Sequence, residues 1–268
     1  MDTLREGSQG DDVQSLQSKL KEKGFSPGAL DGVFGPGTEA AVLAFQQSEG
    51  LQADGIVGPQ TAAALGFAAT EVPSISAGMP NITVAIASKM APDAPLSNIS
   101  SNLPLVMQEL ETAGLTGQSI VLAAIATIVV ETGRFAPISE FISRFNTSPG
   151  GEPFDLYDFR RDLGNGAVGD GARYKGRGFV QLTGKANYQR FGNQIGANLI
   201  ADPEQANEPR TAAKLLAVFL KAQQRRIEQA LAVGDFATAR RAVNGGTFGL
   251  DQFTTSYQTG KRLLDQAA

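Results

Sequence analysis

The chain has 268 residues, of which 42% are hydrophobic and 19% are charged, so it can form one or two globular domains. It contains neither cysteine nor histidine, which excludes a disulfide framework and argues against zinc peptidases and nucleophiles activated by histidine. The formal net charge is −4 and no Lys/Arg stripe dominates any part, which argues against a nucleic-acid partner. An enzyme of this composition must use carboxylates for proton transfer.

The first 66 residues predict a small three-helix domain. Val13, Leu16 and Leu20 lie at helical spacing, and Gly24 follows as a stop signal. A repeat with a period of 23 residues comes next, in which DGVFGPGTEAAV at 31–42 recurs as DGIVGPQTAAAL at 54–65. In each copy Asp-Gly makes a tight turn, and Gly-Pro-x-Thr starts a helix.

These elements, in this order and spacing, resemble the peptidoglycan-binding domain family 1. The resemblance is carried by LREGSQGDDVQSLQSKLKEKGF, LDGVFGPGTEAAVLAFQQSEGL and ADGIVGPQTAAAL. It implies that residues 1–66 bind the bacterial wall, with the repeated glycines and prolines serving the fold. Residues 67–81, FAATEVPSISAGMPN, show no sustained period and predict a linker.

Residues 82–268 predict a second domain that is mainly α. One helix is indicated with Asn102 as its cap and an apolar stripe formed by Leu103, Leu105, Val106, Leu110 and Leu115. From 120 to 130 every residue except Thr127 is apolar, which predicts a helix buried on every side. This run is shorter than the roughly 20 residues that cross a bilayer, so we expect no membrane insertion.

Two carboxylates flank a predicted helix break. The apolar run ends on Glu131, and Glu140 follows nine residues later. In an unbroken helix they would lie about 180° apart, on opposite faces. Gly133 and Pro137 lie between them and disfavour helix, so we expect the chain to leave the helix after Glu131 and to present Glu140 across a cleft.

The stretch 146–178 is rich in glycine and shows little predicted structure, which favours a loop over a substrate groove. Its G-x-G-x-x-G at 164–169 does not indicate dinucleotide binding, because a charged segment precedes it and no amphipathic helix follows. Residues 209–243 show helical periodicity and are expected to be core. The Asn-Gly-Gly at 244–246 then breaks that pattern.

Two carboxylates at a cleft, without histidine or cysteine, point to glycoside hydrolysis, in which one acid protonates the leaving oxygen and a second carboxylate acts on water or sugar. Glu131 suits the acid because it closes a buried apolar segment, where burial disfavours the charged form. As isolated residues, Glu131 is equally well interpreted as a helix-end carboxylate, and Glu140 as a surface charge or a partner for Arg144.

The segments GDGARYKGRGFVQLTGKANYQRFG, VVETGRF and VNGG resemble glycoside hydrolase family 19, in particular its lysozyme-like phage endolysin branch, from about residue 82 to 264. The resemblance implies that Glu131 is the general acid, that Glu140 is the second catalytic carboxylate and that Thr183 holds the attacking water. It also implies that four residues bind the sugar's acetamido and hydroxyl groups: Gln181, Asn187, Tyr188 and Asn244. Tyr188 could in addition stack on a sugar face.

The chain departs from the chitinases of that family, since it has no cysteine, no tryptophan and Thr247-Phe248 after the Asn-Gly-Gly. The resemblance implies an inverting mechanism that needs no cofactor. The departures and the attached wall-binding module favour a peptidoglycan hydrolase of the lysozyme type that cuts β-1,4 bonds of the glycan strands. A chitinase and an inactive wall-binding protein are the alternatives. The N-terminus lacks the apolar segment of a signal peptide, so we expect synthesis in the host cytoplasm and later release to the wall. We also expect the protein to act as a monomer.

Overall fold

A computed structural model describes residues 4–51, 53–67 and 78–266 of the chain. The chain divides into two compact units, Met1–Ser74 and Ile75–Ala268. Both units are built mainly from helices, as the sequence predicts. Of the expected linker at 67–81, residues 68–77 lie outside the described part of the chain.

The described part of the smaller unit has three helices, as expected from the repeat. They are α1 (Asp11–Glu22), α2 (Pro36–Ser48) and α3 (Pro59–Ala64). The apolar stripe of α1 is fully buried, and its main partners in the core are Phe34, Val42 and Phe45. Both α2 and α3 begin at the proline of their repeat copy, where the missing N–H costs no helical hydrogen bond.

A buried glutamine holds the turn of the first repeat copy. The Gln17 Nε2 donates to Asp31 Oδ1 at 3.0 Å, to the Val33 carbonyl at 3.0 Å and to Thr38 Oγ1 at 3.2 Å. Its Oε1 accepts from the Gly32 N–H at 2.9 Å. The hydrogen bond from Gln17, followed by that from the Val33 N–H, lowers the pKa of Asp31.

The second copy repeats this arrangement with Gln46. Its Nε2 donates to Asp54 Oδ1 at 2.9 Å, to the Ile56 carbonyl at 2.9 Å and to Thr61 Oγ1 at 3.1 Å. The Asp and Thr of both copies are therefore occupied inside the fold. The period of 23 residues is that of the turn and the helix start, from Asp31 to Asp54, and in each copy a glutamine of the preceding helix holds the turn.

Within the described residues, the larger unit contains eight α-helices and one small antiparallel sheet. The helices are α4 (Val84–Met90), α5 (Leu96–Thr112), α6 (Gln118–Thr132), α7 (Asp170–Arg173), α8 (Lys185–Ile195), α9 (Pro209–Ala232), α10 (Phe236–Asn244) and α11 (Leu250–Asp265). The sheet pairs β1 (Ile138–Ser139) with β2 (Arg177–Gly178), and Ile138 lies opposite Gly178. Short 3₁₀ turns occupy Asp155–Tyr157, Arg161–Leu163 and Pro203–Asn207.

Helix α6 lies at the centre of this unit. All its residues from 120 to 129 are buried, which confirms the prediction of a helix covered on every side. It packs against α4, α9 and α11. Helix α11 approaches closely at Gly260, where a Cβ would lie 2.5 Å from Leu122 and 2.6 Å from the Met90 sulfur. Within the described ranges, no helix has both the length and the apolarity to cross a membrane.

The break after α6 occurs where the sequence predicts it. The helix ends at Thr132, and Gly133 adopts a left-handed conformation with φ of 64°. Asn102 was expected to cap a helix, but it lies inside α5, and its Nδ2 donates to the Phe135 carbonyl at 2.9 Å. That correction has a tertiary cause, because the amide stabilises a turn 33 residues further along the chain. Helix α5 thus fixes the path that leads from Glu131 to β1.

The glycine-rich stretch 146–178 is more ordered than expected from its composition. Asp158 accepts hydrogen bonds from the N–H groups of Gly169 and Gly171 through its two carboxylate oxygens, and so holds the start of α7. Asn165 is buried and bonds to both the Tyr157 carbonyl and the Lys185 N–H. A 3₁₀ turn precedes the G-x-G-x-x-G where a dinucleotide fold needs a buried strand. The segment is a compact wall of the site.

Candidate active site

Glu140 follows β1 directly, and its main chain extends the pairing with β2. Its N–H donates to the Gly176 carbonyl at 2.7 Å. Its side-chain Oε2 accepts from the Gly176 N–H at 3.0 Å, and its Oε1 accepts from Asn146 Nδ2 at 2.9 Å and from the Tyr157 hydroxyl at 2.8 Å. Three donors therefore converge on one carboxylate, which matches a group that only accepts when it is ionised.

The groups that hold Glu140 are themselves fixed. Asn146 is fully buried, and its Nδ2 also donates to the Phe141 carbonyl at 2.8 Å. Burial, together with the hydrogen bond to Glu140, raises the pKa of Tyr157 to about 12, so its hydroxyl stays a donor at neutral pH. A Cβ on Gly176 would lie 3.1 Å from Glu140 Oε2, so glycine allows the close approach.

The alternative partner of Glu140 is engaged elsewhere. The Arg144 guanidinium lies 4.9 Å from the centre of the Phe145 ring, a cation–π distance. Glu140 instead accepts hydrogen bonds from donors in the glycine-rich stretch. The sequence indicated this stretch but not the individual donors. The available signal was the position of Asn146 and Tyr157 shortly after Glu140 inside a segment already suspected of function.

Glu131 lies in the last turn of α6 and forms an ion pair with Arg240 of α10. Its Oε1 accepts from Arg240 Nη2 at 2.6 Å, and the two side chains are 15% and 0% exposed, respectively. Arg240 Nε donates to the Phe248 carbonyl at 2.9 Å, whereas Arg240 Nη1 is buried without a partner among the described residues. The sequence placed Glu131 at the end of a buried apolar segment and did not indicate a charged neighbour. The structure adds a buried cation, Arg240, on one side of the carboxylate.

The turn after α10 packs onto the end of α6. Gly249 has φ of 70°, and a Cβ there would collide with Cγ1 of Val130, the residue before Glu131. The Leu250 N–H donates to the Thr247 carbonyl at 3.1 Å and closes this turn. The Asn-Gly-Gly break thus brings the chain back to the acid, and the glycine makes the contact sterically possible.

Gln181 and Thr183 lie on the same side of the site as Glu140. Gln181 adopts φ of 51°, unusual for a residue other than glycine, and its Nε2 donates to the Ile138 carbonyl at 3.0 Å. A Cβ on Gly176 would lie 2.8 Å from Gln181 Oε1, so this amide oxygen and the Glu140 carboxylate flank the same glycine. The Thr183 hydroxyl donates to the Gln181 carbonyl at 2.9 Å.

Asn187 and Asn244 are placed differently. Asn187 is half-buried, and its Nδ2 donates to the Thr183 carbonyl at 2.8 Å, which joins it to the Gln181 side of the site. Asn244 is exposed at the end of α10, one helical turn beyond Arg240, and its Oδ1 accepts from the Gly246 N–H at 3.0 Å. Each amide keeps hydrogen-bonding groups that a sugar could use.

Tyr188 does not fit the expected contact with sugar. Its side chain is 0% exposed, its hydroxyl donates to the Lys175 carbonyl at 2.7 Å, and it accepts from Arg177 Nη1 at 2.9 Å. Burial raises the pKa of Tyr188 to about 12 despite the nearby Arg177. The expectation that this ring stacks on a sugar face is corrected, because the ring is buried in a core cluster that includes Tyr174 and Phe191. Tyr188 supports the wall from inside.

The acidic side chains do not form a metal site. Across residues 4–51, 53–67 and 78–266, no group of three or more acidic side chains is arranged to hold a metal ion. Glu131 and Glu140 are carboxyl groups that can transfer protons, and the side chains of Thr183, Gln181 and Asn187 can form hydrogen bonds.

Residues 9–65 match the family model described as a putative peptidoglycan binding domain. The chain therefore carries a domain of this family at its N-terminus, which confirms the prediction made from the repeat. The matched range spans α1 to α3 and both glutamine-held turns.

Curated relatives match a short part of the chain. The N-acetylmuramoyl-L-alanine amidase CwlM of Mycobacterium tuberculosis is 44% identical over 72 residues, which are 27% of this chain and 17% of that protein. The spore cortex-lytic enzyme of Bacillus cereus is 48% identical over 58 residues, 22% of each protein. The chain spans about a fifth of the length of these relatives. The matched stretches are about as long as the binding domain. They therefore give no information about the activity of the larger unit.

A solved structure of a bacterial family 19 chitinase resembles this chain with a TM-score of 0.51 and 20% sequence identity, covering 68% of this chain and 94% of the chitinase. The predicted fold class is thereby confirmed. At this identity the likeness concerns the fold alone, because one fold can carry several activities.

Proposed function

We propose that this protein is a peptidoglycan hydrolase that cuts β-1,4 glycosidic bonds of the wall glycan with Glu131 as acid and Glu140 as base. One observation carries the proposal: two partly exposed carboxylates at a helix break are each held by buried partners, Arg240 for the first and Asn146 for the second. Catalytic groups need such fixed orientations. The N-terminal domain would supply attachment to the wall.

The proposed reaction is a single displacement. Glu140 removes a proton from a water molecule, the water oxygen bonds to the anomeric carbon, and the glycosidic C–O bond breaks as Glu131 protonates the leaving oxygen. Oε1 of Glu131 accepts from Arg240, so Glu131 must first take up a proton from solvent, and Oε2 is the oxygen that can carry it. After the transfer Glu131 is again ionised and paired with Arg240. Thr183 would hold the water, while Gln181, Asn187 and Asn244 would bind sugar groups. Inversion requires a separation of about 6.5–9.5 Å between the carboxyl groups.

The resemblance of the sequence motifs to phage endolysins supports a more specific proposal about where the protein acts. We propose that the protein acts as a monomer on the wall after release from the cytoplasm of a host cell. The expected products are glycan fragments with new reducing ends, and no cofactor takes part in the reaction.

The test uses soluble, uncrosslinked peptidoglycan and the full chain. Glu131→Gln and Glu140→Gln should each abolish release of reducing sugar, whereas Glu152→Gln, which changes an exposed glutamate, should leave it intact. Mass spectrometry after borohydride reduction identifies the sugar that carries the new reducing end. Products cut at an amide bond, or full activity in either site variant, would refute the proposed chemistry.

A chitinase is the second candidate, because the fold resembles a family 19 chitinase. Faster cleavage of chitin oligosaccharides than of peptidoglycan glycan would favour it. Deleting residues 1–66 should weaken wall binding and leave cleavage of soluble fragments, and a truncated chain without activity would contradict the division of labour. Wall binding without any cleavage by the intact chain would indicate an inactive wall-binding protein.

A further inference from the structure

We propose that Phe141 and Phe248 are the sugar-contacting rings of this site, one beside each carboxylate. The inference rests on the proposed glycan hydrolysis and assigns substrate contacts that the sequence did not indicate. Their side chains are 76% and 81% exposed, among the largest exposed fractions of the apolar side chains in the described ranges. Scattered exposed apolar residues are normal on protein surfaces. These two differ because hydrogen bonds connect the backbone of each to one of the two carboxylates.

Phe141 is tied to the base. It follows Glu140 in the chain, so their Cα atoms are about 3.8 Å apart. The Phe141 carbonyl and the Glu140 carboxylate accept hydrogen bonds from the same nitrogen, Nδ2 of Asn146. Asn146 also anchors the rest of this loop, because its Oδ1 accepts from the Ser143 N–H at 2.8 Å. The backbone that bears the exposed ring is therefore fixed relative to the carboxylate.

Phe248 is tied to the acid in a corresponding way. Its carbonyl accepts from Nε of Arg240, whose Nη2 donates to Glu131. The next residue, Gly249, packs directly against Val130 at the end of α6. A fully buried guanidinium thus bridges the backbone of Phe248 and the carboxylate of Glu131.

Sugar rings are the occupant that this arrangement fits. A pyranose presents C–H groups on its faces, and an aromatic ring offers a flat apolar surface with a negative face to them. The chain has no tryptophan, and Tyr188, the ring expected to stack, is buried. A glycan whose scissile bond lies between Glu131 and Glu140 places sugar units on both sides of the bond, within reach of Phe141 on one side and Phe248 on the other.

The experiment measures steady-state kinetics of the full chain on soluble, uncrosslinked peptidoglycan glycan. Phe141→Ala and Phe248→Ala should each raise KM about two- to tenfold, with kcat changed less, because a stacking contact holds bound substrate and transition state alike. Phe141→Tyr keeps the ring and should keep KM, whereas Phe141→Leu keeps only apolar bulk and should behave like Phe141→Ala. Val233→Ala, at an apolar side chain that is 81% exposed after α9 and belongs to no segment of the site, is the control matched in exposure.

Unchanged KM in both alanine variants, with normal cleavage by the intact chain, would overturn the proposal and leave the proposed function standing. The proposal also fails if Val233→Ala raises KM equally, or if kcat falls while KM stays constant. Loss of binding to phosphatidylglycerol vesicles in the alanine variants without a change in KM would assign the rings to a membrane surface instead. No glycan cleavage by the intact chain would overturn the proposed function and this inference with it.

Discussion

Replacing Glu131 with glutamine should destabilise the larger unit as well as remove the proposed acid. Glutamine keeps the shape of the side chain and an oxygen that accepts from Arg240, but it removes the negative charge. Arg240 is 0% exposed, so its charge has no access to water. Removing one partner of a buried ion pair costs about 3–5 kcal/mol. We expect about 3 kcal/mol, the lower end, since the amide still accepts a hydrogen bond.

The matched variant is Arg240→Met, which replaces the guanidinium with an apolar side chain and also removes the unpaired Nη1. It should cost less than Glu131→Gln, because the carboxylate that it leaves behind is 15% exposed and can be hydrated. In the double variant neither charge is present, so no buried charge is left without a partner. The two single costs should therefore fail to add, with a coupling energy of about 2–3 kcal/mol.

Calorimetry and urea unfolding of the full chain provide the measurement. For a domain of about 150–250 residues, 3 kcal/mol corresponds to a decrease in Tm of about 6–12 °C. Activity is then compared well below the Tm of each variant, which separates lost chemistry from lost folding. A Tm of Glu131→Gln within about 2 °C of the parent, or single costs that simply add, would refute the reasoning that Arg240 depends on this charge.

Three further outcomes follow from the structure. Gln46→Ala should destabilise the smaller unit by roughly 2–4 kcal/mol, because several buried or part-buried hydrogen bonds are lost. Urea unfolding measures this free energy. Gln47→Ala, at an exposed position of the same helix, should have the stability of the parent. Asn146→Ala should lower kcat on soluble glycan by up to about a hundredfold by releasing the base from its position, and an unchanged kcat would contradict that role. The hydrogen bond from Arg177 lowers the pKa of Glu204 below its ordinary 4.5. This pair therefore stabilises the folded state above about pH 4.5, and its contribution is lost as the pH falls through the lower folded-state pKa. Glu204→Gln should reduce the decrease of the unfolding free energy at acid pH, and an unchanged slope of that free energy against pH would contradict the role of the pair.

Elements governed by neighbouring residues were predictable from the sequence. The buried helix α6, its end before Gly133 and the helix starts at Pro36 and Pro59 all lie where the pattern predicts them. Apolar periodicity, left-handed glycine and proline at a first helical turn act within a few residues. The glycine-rich stretch was predicted less well, because its order comes from buried polar side chains such as Asp158 that leave no periodic signal.

The candidate site shows the same limit. Glu131, Glu140 and Thr183 could be proposed from motifs, and their catalytic roles stay predictions. Arg240, the partner of Glu131, is 109 residues away in the chain, and nothing in the local sequence links the two. Tyr188 shows the opposite error, since a motif suggested contact with sugar where packing has buried the ring.

The amino-acid sequence alone predicted the two-part organisation, identified the binding domain and singled out Glu131 and Glu140 as candidates, because these inferences depend on local periodicity, on a repeat and on residue type. Tertiary structure alone decided which groups surround each carboxylate. The guanidinium at Glu131 comes from a residue 109 positions away, and two of the donors at Glu140, Tyr157 and Gly176, lie 17 and 36 residues further along the chain. Only packing brings these segments together. Charge compensation and hydrogen bonding depend on distance in space, and the chain order does not encode that distance.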